Sequence, residues 1–202
     1  QMAQRKSAPK DFGTYIGDNG RVNRCVQLMK QGKIRQGGTL IDVGGGIGDL
    51  CYATKKELLF GRAFCVDISK KNLEAAASKI GLENTVHLDT DVEGLRAFDD
   101  GEADVVTALD FIEHIVDPEK FAMECFRVLK RGGEVFINTP NIQYWQHIEQ
   151  LVHGRFPHTS GDREVYHGGH LAFFTYLDLC DLFFGAGFQT REQIKGEGGC
   201  RQ

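Results

Sequence analysis

The stretch Leu40-Ile41-Asp42-Val43-Gly44-Gly45-Gly46-Ile47-Gly48-Asp49-Leu50 decides how the rest of the chain is read. Residues 39–43 are a short apolar run that stops at glycines, the pattern of a strand buried on both faces. Helical periodicity follows over residues 49–60. Strand, glycine turn and helix in that order open a βαβ unit. Open sheets of such units bind ligands at the carboxyl ends of their strands. Glycine permits the sharp turn and lets a ligand reach the main chain with no Cβ in the way.

Working outward, the same alternation continues. Residues 62–68 read as a second strand, and Ser69 is placed to N-cap a helix over 70–80. Residues 85–88 and 103–109 read as a third and a fourth strand. Pro118 opens a helix over 119–130 with Phe121, Cys125, Val128 and Leu129 on one face. Arg131-Gly132-Gly133 closes that helix, and 134–138 is a fifth strand. Residues 19–30, 141–152 and 176–184 are further helices, and a sixth strand is expected from Phe188 onward. Short strands joined by helical crossovers predict an α/β fold: a doubly wound, mostly parallel sheet of six or seven strands with helices on both faces. We read 1–202 as one domain, with a helical cap over 1–38 and a substrate-recognition insertion over 141–174.

Composition narrows the class. Apolar residues at 41% and charged residues at 26% suit an ordinary soluble globular chain. A formal net charge of −4 argues against nucleic-acid binding, which needs a basic surface to neutralise phosphates. No run reaches the ~18 apolar residues of a membrane span. Residues 1–6 lack the apolar segment of a secretory signal. Six cysteines without a C-x-x-C pair read as reduced, buried thiols, so the expected compartment is the cytoplasm.

The glycine turn is more specific than its glycines. A dinucleotide fingerprint needs G-x-G-x-x-G with a diphosphate on the helix N-terminus. Counted from Gly44, the third glycine position holds Asp49, and the carboxylates of Asp42 and Asp49 would repel a diphosphate. S-adenosylmethionine reverses that argument, because it carries a sulfonium and an amino group and no phosphate. Its single carboxylate can meet the helix N-terminus. Asp67 follows the turn by about 20 residues, the position from which a carboxylate accepts ribose hydroxyls. A carboxylate in Asp89-Thr90-Asp91-Val92 can take an adenine amino group.

The segments LIDVGGGIGDL (40–50), CVDIS (65–69), TDVEGL (90–95), DVVTALDFIEHIVDP (104–118) and FRVLKRGGEVFINTPN (126–141) resemble, in order, the motifs of class I S-adenosylmethionine-dependent methyltransferases. The likeness is to the small-molecule group that includes the ubiquinone-pathway O-methyltransferases, and it covers residues 39–141. It implies that Asp42, Gly44, Gly45, Gly46 and Gly48 surround the methionine part, and that Asp67 and Ile68 hold the ribose end. By the same likeness Asp91 and Val92 bracket the adenine, and Leu109 and Asp110 line the sulfonium.

Methyl transfer to a hydroxyl is helped by a general base, and histidine is the usual choice near neutral pH. His114 follows the fourth strand, where the methyl group should point. His167 and His170 lie in a long polar stretch between the fifth strand and the last helix. These three are the candidate bases. A divalent metal on His167 or His170 with Asp162 or Glu164 is possible but not favoured, because the spacing matches no strong metal motif. Aromatic residues around this stretch, Tyr144, Trp145 and Tyr166 among them, lean towards a sugar or other polyhydroxylated acceptor.

Two other readings compete with this one. A nucleotide-sugar dehydrogenase or epimerase using NAD is disfavoured by Asp49 and by the absence of a Y-x-x-x-K pair. A non-catalytic adenosine-binding module is disfavoured by the polar, His-rich stretch. The fold this resemblance implies usually ends with a sixth and a seventh strand, yet only 15 residues follow Gly187: either the last strand is missing from this piece or the sheet is trimmed. A trimmed sheet edge makes a homodimer or a flanking domain plausible.

Overall fold

Successive side chains of strand β1 (Gly38–Val43) enter opposite cores, Leu40 on one face of the sheet and Ile41 and Val43 on the other. That alternation is why Leu40, Ile41 and Val43 are all apolar: both faces of a parallel sheet are covered. The computed structural model describes residues 20–157 and 170–189, apart from residues 32, 33, 35 and 58.

Within these residues β1 is followed by α2 (Asp49–Lys56), β2 (Phe60–Asp67), α3 (Lys70–Ile80), β3 (Thr85–His87) and α4 (Thr90–Glu93). Then come β4 (Ala103–Leu109), α5 (Pro118–Val128), β5 (Leu129–Asn138), α6 (Trp145–Val152) and α7 (Tyr176–Gly185), with α1 (Gly20–Gln31) ahead of β1. The strands pair in parallel in the order β3-β2-β1-β4-β5. Strand order reverses between β1 and β4, so the ligand crevice of this topology opens at their carboxyl ends.

Helices cover both faces, as expected. Val22, Cys25 and Met29 of α1 share one core with Leu50, Leu73, Ile80 and Val105. Phe121, Cys125 and Val128 of α5 share the other with Leu95, Phe98, Val106 and Phe183. Ser69 caps α3 as predicted, its hydroxyl accepting from the Asn72 amide at 3.3 Å. Asp117 caps α5 in the same way.

The structure corrects several boundaries. Helix α2 ends at Lys56 rather than 60, because Leu59 and Phe60 are buried and already lead into the sheet. Helix α5 ends at Val128, and β5 starts at Leu129 rather than 134. The Gly132-Gly133 pair is a bulge inside β5, with Gly132 at φ +79° and a register shift opposite Ala103/Val105. The helix expected over 141–152 begins only at Trp145. Before it, Asn141 bridges to Phe174, and the Ile142 amide donates to the Phe174 carbonyl. Five strands stand in the described sheet where six or seven were expected. Phe188 packs its ring on Phe126 and Phe183 instead of pairing with β5, and residues 190–202 lie outside the described residues. No described helix is long and apolar enough to cross a membrane.

Candidate active site

At the reversal point the turn after β1 is built from backbone that only glycine adopts easily. Gly44, Gly46 and Gly48 have φ of +68°, +54° and +76°. A Cβ on Gly44 would lie 2.4 Å from the Phe111 ring, and one on Gly45 would lie 2.8 Å from both Asp42 and Cys65. Gly46 differs. Nothing lies within 4 Å of where its Cβ would be, so its bare backbone faces open space.

Asp67 fixes that open glycine. One carboxylate oxygen accepts from the Gly46 amide at 2.9 Å, and the other accepts from the Ser69 amide at 2.7 Å. Asn72 adds a longer contact at 3.4 Å. A carboxylate offers about four lone-pair sites, so Asp67 retains capacity towards the crevice.

The two acidic residues flanking the turn face elsewhere. Asp42 is 3% exposed and accepts from the Thr107 hydroxyl at 2.7 Å, with the Cys51 thiol 3.9 Å from its other oxygen. Burial is the main cause that raises its carboxyl to about 7, with Thr107 opposing and Asp67 and Asp49 adding to the rise. Asp49 turns to Lys79 on α3, 2.5 Å away. The sequence reading set both carboxylates against a cationic ligand; in the fold they brace the turn from beneath and from the side.

Beyond β2 and β3 two aliphatic side chains stand in solvent, Ile68 at 63% and Val92 at 76% exposed. Asp89 holds α4, accepting from the Asp91 and Val92 amides. Asp91 then accepts from the Val116 amide at 2.9 Å, and Lys120 donates to its carbonyl. The end of β3 is thereby tied to the segment after β4. His87, at the end of β3, contacts the Ile68 carbonyl at 3.0 Å.

Leu109 ends β4, half-buried, and Asp110 follows at φ +50°, a left-handed conformation rare outside glycine. The Asp110 amide donates to the Asn138 carbonyl, and its carboxylate pairs with Arg21 at the start of α1. Sequence reasoning missed Arg21, because nothing in residues 20–31 announces which face of α1 reaches the crevice.

The next turn brings together residues far apart in sequence. Glu113 is 1% exposed, and neither of its carboxylate oxygens has a hydrogen-bond partner. Burial pushes its carboxyl up. The nearby Thr139 hydroxyl, although outside hydrogen-bond geometry, opposes this, as do the charges of His114 and Arg21. The Glu113 carbonyl accepts from the Leu171 and Ala172 amides, which brings the 170–172 segment onto this turn. The His114 and His170 rings meet edge to face, with centroids 4.7 Å apart. His167 lies outside the described residues, as do Asp162, Glu164 and Tyr166.

A family model described as a methyltransferase domain matches residues 41–137. A ubiquinone biosynthesis O-methyltransferase of Psychrobacter arcticus is 30% identical over 164 residues, covering 79% of this chain and 62% of the relative. The chain thus spans less than two thirds of that relative's length. Among solved structures, a SAM dependent methyltransferase from Archaeoglobus fulgidus superposes with a TM-score of 0.62 at 21% identity, covering 88% of this chain and 74% of that one. Phosphoethanolamine N-methyltransferase 2 of Haemonchus contortus, solved with S-adenosyl-L-methionine, gives 0.57 at 21% identity, covering 82% and 36%. At such identities the structural likeness speaks for the fold alone.

Proposed function

We propose that the chain is a class I S-adenosylmethionine-dependent methyltransferase that transfers the methyl group to a hydroxyl oxygen of a small-molecule acceptor, a reading supported by the methyltransferase-domain match over residues 41–137 and by the Psychrobacter relative. The observation that carries this reading is the open turn at Gly46, its amide held by Asp67 at the point where strand order reverses. A cofactor approaching there meets backbone rather than side chains.

The remaining described candidates fit the parts of that cofactor. Asp67 accepts the ribose hydroxyls. Ile68 and Val92 supply apolar surface for the adenine faces, which accounts for two large aliphatic side chains left in water. Asp91 sets the loop that lines the adenine edge. Leu109 and Asp110 flank the sulfonium end, and Gly44, Gly45 and Gly48 shape the turn around the methionine part while Asp42 supports it from below. Bound there, S-adenosylmethionine supplies an activated methyl carbon.

The chain's own task is alignment and removal of a proton. His114 and His170 stand beyond Asp110, and an imidazole at this pair can receive the acceptor's proton as its oxygen attacks; His167, three residues before His170, is the third candidate. The exposed Trp145, with Tyr144 beside it, offers a ring surface on which a sugar can stack. The name of the Psychrobacter relative favours oxygen as the acceptor atom.

Calorimetric titration with S-adenosylhomocysteine and, separately, with NAD tests the cofactor. Binding of the first and silence with the second is the expected result, and the reverse overturns the reading. Formation of S-adenosylhomocysteine with a panel of phenols, sugars and amines then identifies the acceptor atom, with amines as the outcome that removes the hydroxyl assignment.

A further inference from the structure

We infer that Lys120 is a positioning residue of the cofactor site, fixing Asp91 so that its carboxylate selects adenine over a 6-oxopurine. This deepens the proposed function and rests on reading the ends of β2 and β3 as the adenine side.

Helix α4 is a single turn with no buried residue, so the core does not hold it. Four residues are also far fewer than a helix needs to be stable alone. Polar ties set its place instead. Within the loop, Asp89 accepts from the Asp91 amide at 3.1 Å. The other ties come from the segment after β4. The Val116 amide donates to Asp91 Oδ1 at 2.9 Å, and the Lys120 ammonium donates to the Asp91 carbonyl at 2.8 Å. Beside them, the Leu95 amide donates to Glu124 of α5 at 2.7 Å.

Asp91 is thereby held at its amide, its carbonyl and one carboxylate oxygen. Among the described residues its Oδ2 carries no hydrogen bond, and the residue is half-buried. A purine seated against Ile68 and Val92 brings its 6-position to this loop. A fixed acceptor suits the amino group of adenine, which donates. It rejects a 6-oxopurine, whose oxygen sets two acceptors face to face. Lys120 directs its charge to a main-chain carbonyl and leaves the second carboxylate oxygen to the ligand. Its own amide donates to the Asp117 side chain that caps α5, a bond that a change of the Lys120 side chain leaves in place.

The full chain is titrated calorimetrically with S-adenosylhomocysteine and with S-inosylhomocysteine, in which oxygen replaces the adenine amino group. The wild type should prefer the first by about tenfold or more. Lys120→Met should shrink that preference by about fivefold or more, through weaker binding of S-adenosylhomocysteine. Val116→Pro removes the other tie and should act in the same direction. Its side chain is exposed, and Ile115 before it already has the extended backbone that a following proline requires, at φ −97° and ψ 154°. Lys120→Arg keeps a donor and should restore the preference, and Lys56→Met, at an exposed lysine of α2, should match the wild type. A wild type without preference, or an unchanged preference in both Lys120→Met and Val116→Pro, overturns the inference. So does an equal loss of both ligands in Lys120→Met, the mark of a merely structural lysine. A wild type that binds neither ligand sinks the proposed function itself, whereas normal S-adenosylhomocysteine binding with unmoved variants sinks only the role of Lys120.

Discussion

The Asp67 carboxylate accepts the Gly46 amide at 2.9 Å, joining the end of β2 to the turn after β1. One side chain thereby fixes the shape of the glycine turn and presents its remaining lone pairs to whatever occupies the crevice. Asp67→Ala should therefore weaken S-adenosylhomocysteine binding by roughly tenfold to a hundredfold, the range of a charge-assisted hydrogen bond. The chain should still unfold cooperatively, a few degrees lower. Unchanged affinity by calorimetry removes Asp67 from the cofactor site.

Gly44 and Gly46 share a left-handed backbone but differ in what surrounds them. Gly46→Ala meets only the conformational cost, about 1 kcal/mol, because no atom stands near its new methyl group. Gly44→Ala adds a collision with the Phe111 ring and should cost about 2–4 kcal/mol. Urea denaturation measures both. Cofactor affinity should fall in Gly46→Ala despite its near-native stability, since the methyl group occupies the space the ligand needs.

Asp42 gives a pH dependence of defined sign. Its carboxyl rises on folding to about 7, from an unfolded value near 4. Between these values the folded chain holds a proton that the unfolded chain has lost. Stability therefore falls as pH rises through that window and levels off above it, by at most roughly 4 kcal/mol. Asp42→Asn keeps an acceptor for Thr107 and abolishes this contribution. Its midpoint in urea should exceed that of the wild type at pH 8, with the gap closing towards pH 4. A constant gap across that range contradicts the assignment.

His114→Ala and His170→Ala should each abolish most turnover while retaining S-adenosylhomocysteine affinity within a few-fold. Single-turnover rates and calorimetry on the same samples separate the two effects. Wild-type turnover in both variants excludes this pair from the reaction, and a matching fall in cofactor affinity assigns them to the cofactor end instead. His167→Ala, measured alongside, tests the third candidate in the same assay.

The sequence by itself determined the sheet and the kind of turn. Apolar runs such as 40–43 and 103–109 read as buried strands because a covered parallel sheet wants apolar side chains on both faces. Positions such as Gly44 and Gly48 read as a turn because few other residues adopt their backbone. Asp67 was legible as a site residue because its spacing from the turn is a local property of one βαβ unit. The edges of elements were less so: the Gly132-Gly133 bulge looks like a helix stop until Leu129 is seen paired with Ala103.

Only the tertiary structure decided where the charges go. From the sequence, Asp42 and Asp49 look like partners for a cationic ligand, yet each finds a closer one in Thr107 and Lys79, residues that folding brings in from distant segments. Arg21 reaches Asp110, and His170 reaches His114, for the same reason. Periodicity and turn chemistry act over a few residues and are written along the chain. A salt bridge or a ring contact depends on which distant side chain arrives first, and packing fixes that.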